Sequence, residues 1–109
     1  MRIVAKHLTG ARQGETDTFS NVPLTIGRLP ASSLRLGIND TRASARHAEI
    51  TLEKQEIVLR DVGSTNGTFV NGTKTPFAIL NSGDIVEFGT GGPKLQFEIG
   101  DTLATLVRE

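Results

Sequence analysis

The chain has 109 residues and contains no cysteine, tryptophan or tyrosine. Without thiols it can form neither a disulfide framework nor a thiolate metal site, a usage that fits a reducing compartment, and a cytoplasmic location is expected. Two histidines forty positions apart, with no clustered carboxylates, supply no recognisable ligand set, so no metal is expected. No apolar run approaches the roughly 20 residues of a membrane span, and the N-terminus lacks the apolar stretch of a signal peptide. Excess charge of one sign is missing too, since 12 Lys and Arg meet 12 Asp and Glu. A neutral chain has no basic face for nucleic acid or membrane. The glycine-rich run Gly89 to Gly92 lacks the Lys-Ser/Thr ending of a phosphate-cradling loop, so no nucleotide cofactor is expected.

Long 3.6-residue periodicity is also absent. In its place stand short alternating runs: 2–5, 24–26, 48–52, 56–59, 84–88 and 94–99. Each has an apolar and a polar side and is bounded by Gly, Asn, Asp, Ser or Pro, which reads as half-buried strands. Strands at this density imply two packed antiparallel sheets, because an isolated sheet leaves one apolar face wet. The five aromatics are all phenylalanine, so the core is aliphatic. The fold expected is an all-β, two-sheet antiparallel sandwich of about ten to eleven short strands, with binding loops at one end. One domain, residues 1–109, is expected, with its core at about 2–100 and with 101–109 as a last strand or the start of a linker.

Charge is uneven along this neutral chain. From Arg28 to His47 there are four arginines and one acid, a net of +3 with histidine neutral; from Asp84 to Glu109 five acids face two bases, a net of −3. A local positive patch on a neutral body suits a small anion better than a polyanion. The patch coincides with Ile26-Gly27-Arg28 and Ser44-Ala45-Arg46-His47-Ala48, followed by Gly63-Ser64-Thr65-Asn66-Gly67-Thr68-Phe69-Val70-Asn71-Gly72. Asn66-Gly67 and Asn71-Gly72 are strong tight-turn dipeptides, because both residue types tolerate positive φ. A guanidinium, two hydroxyls and an amide on three loops are suited to phosphate oxygens.

The order and spacing of these segments, with Asp61-x-x-Ser64 and Leu80-x-x-Gly83-Asp84-x-Val86-x-x-Gly89, resemble the forkhead-associated (FHA) domain over about residues 2–100. That resemblance implies an FHA/SMAD-like sandwich and a module that docks phosphothreonine-containing proteins in Ser/Thr-kinase signalling. It implies that Arg28, Ser44 and Thr65 meet phosphate, that Asn66 bonds the peptide main chain, and that His47 is architectural, with Gly27 and Gly67 supporting the loops. Arg42, two positions before the serine, is expected either to supply a phosphate contact or to read the third residue after the phosphothreonine with an acidic preference. Asn71 is grouped with the peptide-binding residues. One departure from the family pattern is Ala45, where a polar or basic residue often also reaches phosphate.

Ser44-x-x-His47 also has a hydrolase reading as nucleophile and base, but no third group orients the histidine and no glycine elbow exposes the serine. No enzymatic activity is expected. The competing reading is a phospho-independent scaffold or self-association module on the same fold. Arg28 is expected to be exposed at a loop apex, and His7 to be a strand residue without a companion. The acidic, threonine-bearing stretch Glu15-Thr16-Asp17-Thr18 reads as part of a hairpin too far from Arg28 to reach it, so a ligand in trans and a monomeric domain are expected.

Overall fold

The structure, a computed structural model, describes residues 1–100; the expectation of a last strand or linker at 101–109 lies outside the described residues. Alternation in the N-terminal run buries Ile3, Ala5 and His7 on one side of β1 (Arg2–His7). The same logic buries Ile26 in β3 (Leu24–Gly27), Ala48 and Ile50 in β5 (Ala48–Glu53), and Ile57 and Leu59 in β6 (Glu56–Asp61). Val86 and Phe88 in β10 (Ile85–Phe88) and Leu95 and Phe97 in β11 (Lys94–Gly100) complete the set. Five further strands fill the intervals: β2 (Thr16–Phe19), β4 (Leu34–Arg35), β7 (Thr68–Val70), β8 (Thr73–Lys74) and β9 (Phe77–Ile79).

These eleven strands form a six-stranded sheet ordered β2-β1-β11-β10-β7-β8 and a five-stranded sheet ordered β4-β3-β5-β6-β9. Their inner faces close on one largely aliphatic core, with Phe88 and Phe97 as its largest fully buried side chains. The sandwich and the strand count match the sequence expectation, with one local difference. β4 pairs parallel to β3, with Ile26 opposite Leu34 and Gly27 opposite Arg35. The connection is short for a parallel pair, and it holds because the segment folds on itself. The Ser32 amide donates to Leu29, while Thr25 and Ser33 exchange backbone and hydroxyl bonds.

His7 has a companion after all. Its Nε2 lies 3.0 Å from an Asp17 oxygen, and Arg12 holds the same carboxylate at 2.9 Å through both terminal nitrogens. The pairing of β1 with β2 places His7 and Asp17 on one face across the strands, a juxtaposition that sequence spacing alone does not reveal.

The fold gathers loops 28–33, 36–47, 62–67 and 89–93 at one end of the sandwich. Gly27 makes that convergence possible: a Cβ placed there would lie 2.0 Å from the Ala45 carbonyl oxygen, a backbone atom with no freedom to swing away. Gly27→Ala is expected to destabilise the domain by about 1–3 kcal/mol through overpacking, whereas Gly100→Ala, with nothing within 4 Å of its added methyl, should be close to neutral. Paired urea-unfolding curves check this; equal midpoints for the two variants would show that β3 does not need this close approach.

Candidate functional site

His47 stands at the start of β5 with its side chain fully enclosed. Both ring nitrogens bond backbone. Nδ1 accepts from the Ser44 amide at 3.0 Å, and Nε2, which therefore carries the proton, donates to the Gly67 carbonyl at 2.9 Å. The imidazole also meets the Phe88 ring edge-on at 5.3 Å. One neutral side chain thus ties the loop before β5 to the loop before β7 and anchors both to the core. The hydrolase geometry is not formed. Nδ1 faces the backbone amide of Ser44, and the Ser44 hydroxyl oxygen accepts from the Thr65 amide at 2.9 Å.

A second brace organises the 62–67 loop from within. Asp61, at the end of β6, accepts from the Gly63 and Ser64 amides at 2.8 Å each and from the Thr68 hydroxyl at 2.8 Å, and the Ser64 hydroxyl donates to it as well. Ser64 Oγ in turn accepts from the Gly67 amide at 3.0 Å. Burial opposes ionisation of Asp61, but the hydrogen bonds from Ser64, Thr68 and Gly63 outweigh it and hold the carboxyl below its ordinary range. The sequence reading noted Asp61 and Ser64 only as parts of a motif. Their signal was the Asp-x-Gly-Ser spacing, in which a short carboxylate caps the amides two and three positions on.

On this frame Arg28, Ser44 and Thr65 come together. Arg28 is half-buried, which corrects the expected free loop apex: Nε donates to the Ala43 carbonyl at 2.8 Å and Nη1 to the Ile38 carbonyl at 3.3 Å. The end pinned in this way is the one that would otherwise sample many rotamers. Nη2 has no hydrogen bond among the described residues and remains an open donor. Because Ser44 Oγ accepts from Thr65, its own proton is free to donate outward. Thr65 is exposed, and its hydroxyl has no partner among the described residues.

Asn66 joins the cluster through its amide, which donates to the Arg42 carbonyl at 2.9 Å and leaves its side-chain oxygen open. Arg42 itself is exposed at the flank and donates to the Thr90 carbonyl at 3.2 Å, so its head is drawn toward the loop after β10. Ala45 contributes no side-chain donor; its carbonyl faces Gly27 and accepts from the Leu29 amide. Asn71 is not brought to this end. It sits beyond the far end of β7 at φ 51°, donates to Asp84 at 3.0 Å and accepts from the Ile85 amide at 3.0 Å, which closes the hairpin to β8. Gly67 has φ 86°, the left-handed turn expected of Asn-Gly, and its carbonyl accepts from both His47 and the Gly89 amide. Among the described residues no group of three or more His, Asp or Glu gathers as a metal site.

Burial pushes the His47 pKa down, against smaller upward effects from the Gly67 carbonyl and Asp61. Protonation would turn Nδ1 from acceptor to donor facing an N–H, so the folded state prefers the neutral ring. The unfolded chain takes up the proton near the ordinary value of about 6.5, which sets the sign. His47 stabilises fully above that pH, and the contribution falls as pH drops from there toward the lowered folded value. His47→Ala should cost about 1–3 kcal/mol at neutral pH by leaving the Ser44 amide unpaired, and it should flatten the stability slope between pH 7.5 and 5. Chemical denaturation across that range checks both; a variant with the parent's slope would relieve His47 of this role.

Comparison with known proteins places this geometry. The family model described as "FHA domain" matches residues 24–89. The glycogen accumulation regulator GarA of Mycobacterium tuberculosis is 36% identical over 99 residues, covering 85% of this chain and 60% of GarA. FhaB, an FHA domain-containing protein of the same organism, is 40% identical over 70 residues, covering 64% of this chain and 44% of FhaB. The chain thus spans about half the length of the curated relatives it matches. Among solved structures, one described as an analysis of phosphothreonine-dependent FHA domain interactions superposes with a TM-score of 0.78 at 29% identity, covering 93% of this chain and 99% of the other. The FHA domain of FhaA, solved in complex with the intracellular domain of Rv3910, superposes with a TM-score of 0.74 at 30% identity, covering 88% and 99%. Four braced loops at one end of an eleven-stranded sandwich, and a family model spanning most of that frame, make this chain a member of the forkhead-associated domain family.

Proposed function

We propose that this chain is a phosphothreonine-dependent protein–protein interaction module that docks phosphorylated partners in Ser/Thr-kinase signalling in the cytoplasm. The observation that carries the reading is the convergence of three open donors, Arg28 Nη2, the Ser44 hydroxyl and the Thr65 hydroxyl, on loops cross-braced from behind. Supporting it, one superposing structure is described by phosphothreonine dependence, and FhaA is captured with a partner domain. A phosphate brings roughly −1.5 to −2 charges and three strong acceptor oxygens. Donors held in place before binding lose little further freedom on engaging them. Asn66, with its side-chain oxygen open, is assigned to the peptide main chain, and Arg42 to the third residue after the phosphothreonine. The phospho-independent scaffold reading gives these open donors no task and is not favoured.

The ligand comes in trans. Thr16 and Thr18 are registered against Lys6 and Val4 in the sheet, and reaching Arg28 would require unpairing β2. The γ-methyl of threonine is assigned to an apolar contact beside the phosphate, so phosphoserine should bind about fourfold more weakly, the equivalent of one methyl at about 0.8 kcal/mol. Equal affinities in fluorescence anisotropy would remove that contact.

Because Arg28 also ties the Ala43 and Ile38 carbonyls, truncating it to alanine would confuse binding with loop support. Arg28→Lys keeps the charge and loses the planar fork. It should weaken a phosphothreonine peptide by at least about tenfold, the loss of one charge-assisted bond of about 1.5–3 kcal/mol, and lower the melting temperature less than Arg28→Ala does, since the ammonium can still donate to one of the two carbonyls. Titration against phosphorylated and unmodified forms of one peptide decides the matter: an unchanged affinity would refute the phosphate assignment.

A further inference from the structure

Arg28 is aimed by the Ile38 and Ala43 carbonyls, and both lie on the irregular segment 37–43. A guanidinium is no better placed than the carbonyls that hold it. The segment has no strand ladder, so its shape depends on bonds of its own. Asp40, half-buried near its middle, closes it in both directions. Its amide donates to the Gly37 carbonyl at 3.0 Å, and its carbonyl accepts from the Ala43 amide at 2.9 Å. Its side-chain Oδ2 also accepts from the Gly37 amide at 3.1 Å.

The same carboxylate reaches out of the segment. It accepts from the Ala11 amide, on the loop joining β1 to β2, at 3.1 Å through Oδ1 and 3.2 Å through Oδ2. Glycines make room for this junction. A Cβ built on Gly37 would collide with the Ala11 methyl and lie 2.7 Å from Asp40 Oδ2; one built on Gly10 would lie 3.1 Å from the same oxygen. The far side of the junction is itself fixed. Arg12 Nη1 donates to the Arg35 carbonyl at 2.6 Å and to Asp17, which also meets His7. Asp40 makes no ion pair among the described residues, so its carboxylate is committed to backbone amides, which a full negative charge holds more firmly than a neutral acceptor does.

We propose that Asp40 is a positioning residue for the phosphate site. By locking segment 37–43 to the β1–β2 loop it fixes the two carbonyls that direct Arg28 Nη2 outward, and it touches no ligand itself. The consequence for binding rests on the phosphothreonine reading above, whereas the aim of Arg28 is a property of the free protein. Ala11 and Arg12 lie outside residues 24–89, the span that the family model matches, so part of this chain's binding device is built from its N-terminal hairpin.

The parent, Asp40→Ala and Asp40→Asn are compared, each well below its unfolding midpoint. Without peptide, the NMR signal of the Arg28 Nε–H reports the clamp on Ala43. It should exchange with water at least about fivefold faster in Asp40→Ala than in the parent, and Asp40→Asn, which keeps an acceptor oxygen, should restore most of the protection. Against a phosphothreonine peptide, Asp40→Ala should bind about five- to tenfold more weakly and Asp40→Asn within about threefold of the parent. In an Arg28→Lys background the Asp40→Ala loss should shrink to about twofold or less, because the fork that Asp40 aims is gone. Parent-like Nε–H exchange in Asp40→Ala would overturn the assignment, and so would a loss of binding that persists undiminished in the Arg28→Lys background. Should Asp40→Ala fail to fold, Gly37→Ala, which drives a methyl against Ala11 and the carboxylate, decides by the same criteria. A parent indifferent to phosphorylation would refute the phosphothreonine reading, while the exchange comparison, made without peptide, still upholds or overturns the brace.

Discussion

A buried imidazole between two backbone loops is the interaction on which the binding end of this domain depends. His47 accepts from the Ser44 amide and donates to the Gly67 carbonyl, and these two bonds fix the separation of the loops that carry the open hydroxyls. A hydrophobic residue of similar size would fill the space but leave the Ser44 amide unpaired, at about 1–3 kcal/mol, and leave the Gly67 carbonyl only its bond from Gly89. Lysine or arginine would bring donors only, with no acceptor for the Ser44 amide. A neutral histidine offers one donor and one acceptor on opposite sides of a rigid ring, and the core face of Phe88 keeps that ring from turning.

Asp61 does the same work inside a single loop. Its carboxylate gathers two amides and two hydroxyls, so the turn around Asn66-Gly67 is set before anything binds. Ser64 then relays the arrangement to the Gly67 amide, while the carbonyl of the same residue meets His47 and Gly89. Two braces that share Gly67 explain how short, polar and largely exposed loops can hold a fixed geometry. Such pre-ordering matters for a small anionic ligand, because binding that must first organise several loops loses much of its gain to entropy.

Electrostatics follow from placement rather than from totals. The chain is neutral, yet Arg28, Arg42 and Arg46 all fall on or beside one end of the sandwich, and two carboxylates there, Asp61 and Asp40, accept from neutral donors. Their surroundings then divide their roles. Arg28 is clamped by two carbonyls, Arg42 leans on Thr90, and Arg46 is exposed.

Strands β1, β3, β5, β6, β10 and β11 were legible from period-two alternation, and their sandwich followed from the need to cover two apolar faces. The strands β4, β7, β8 and β9 have two or three residues each, too few for a period to show. Arg28, Ser44, Thr65, His47 and Gly67 were legible because turn chemistry and motif spacing place them on loops, and a sandwich brings such loops to its ends. What those side chains do with their spare donors was not. The clamping of Arg28 by Ala43 and Ile38, the pairing of His7 with Asp17 and the removal of Asn71 to the far hairpin depend on which strands lie side by side. By itself the sequence determined the sheet-forming pattern, the positions of the turns and the chemical identity of the loop residues, all of which are local properties of the chain. Only the tertiary structure decided which donors are consumed within the protein and which remain open. That partition is set by non-local pairing, in which strands dozens of residues apart carry their loops into contact.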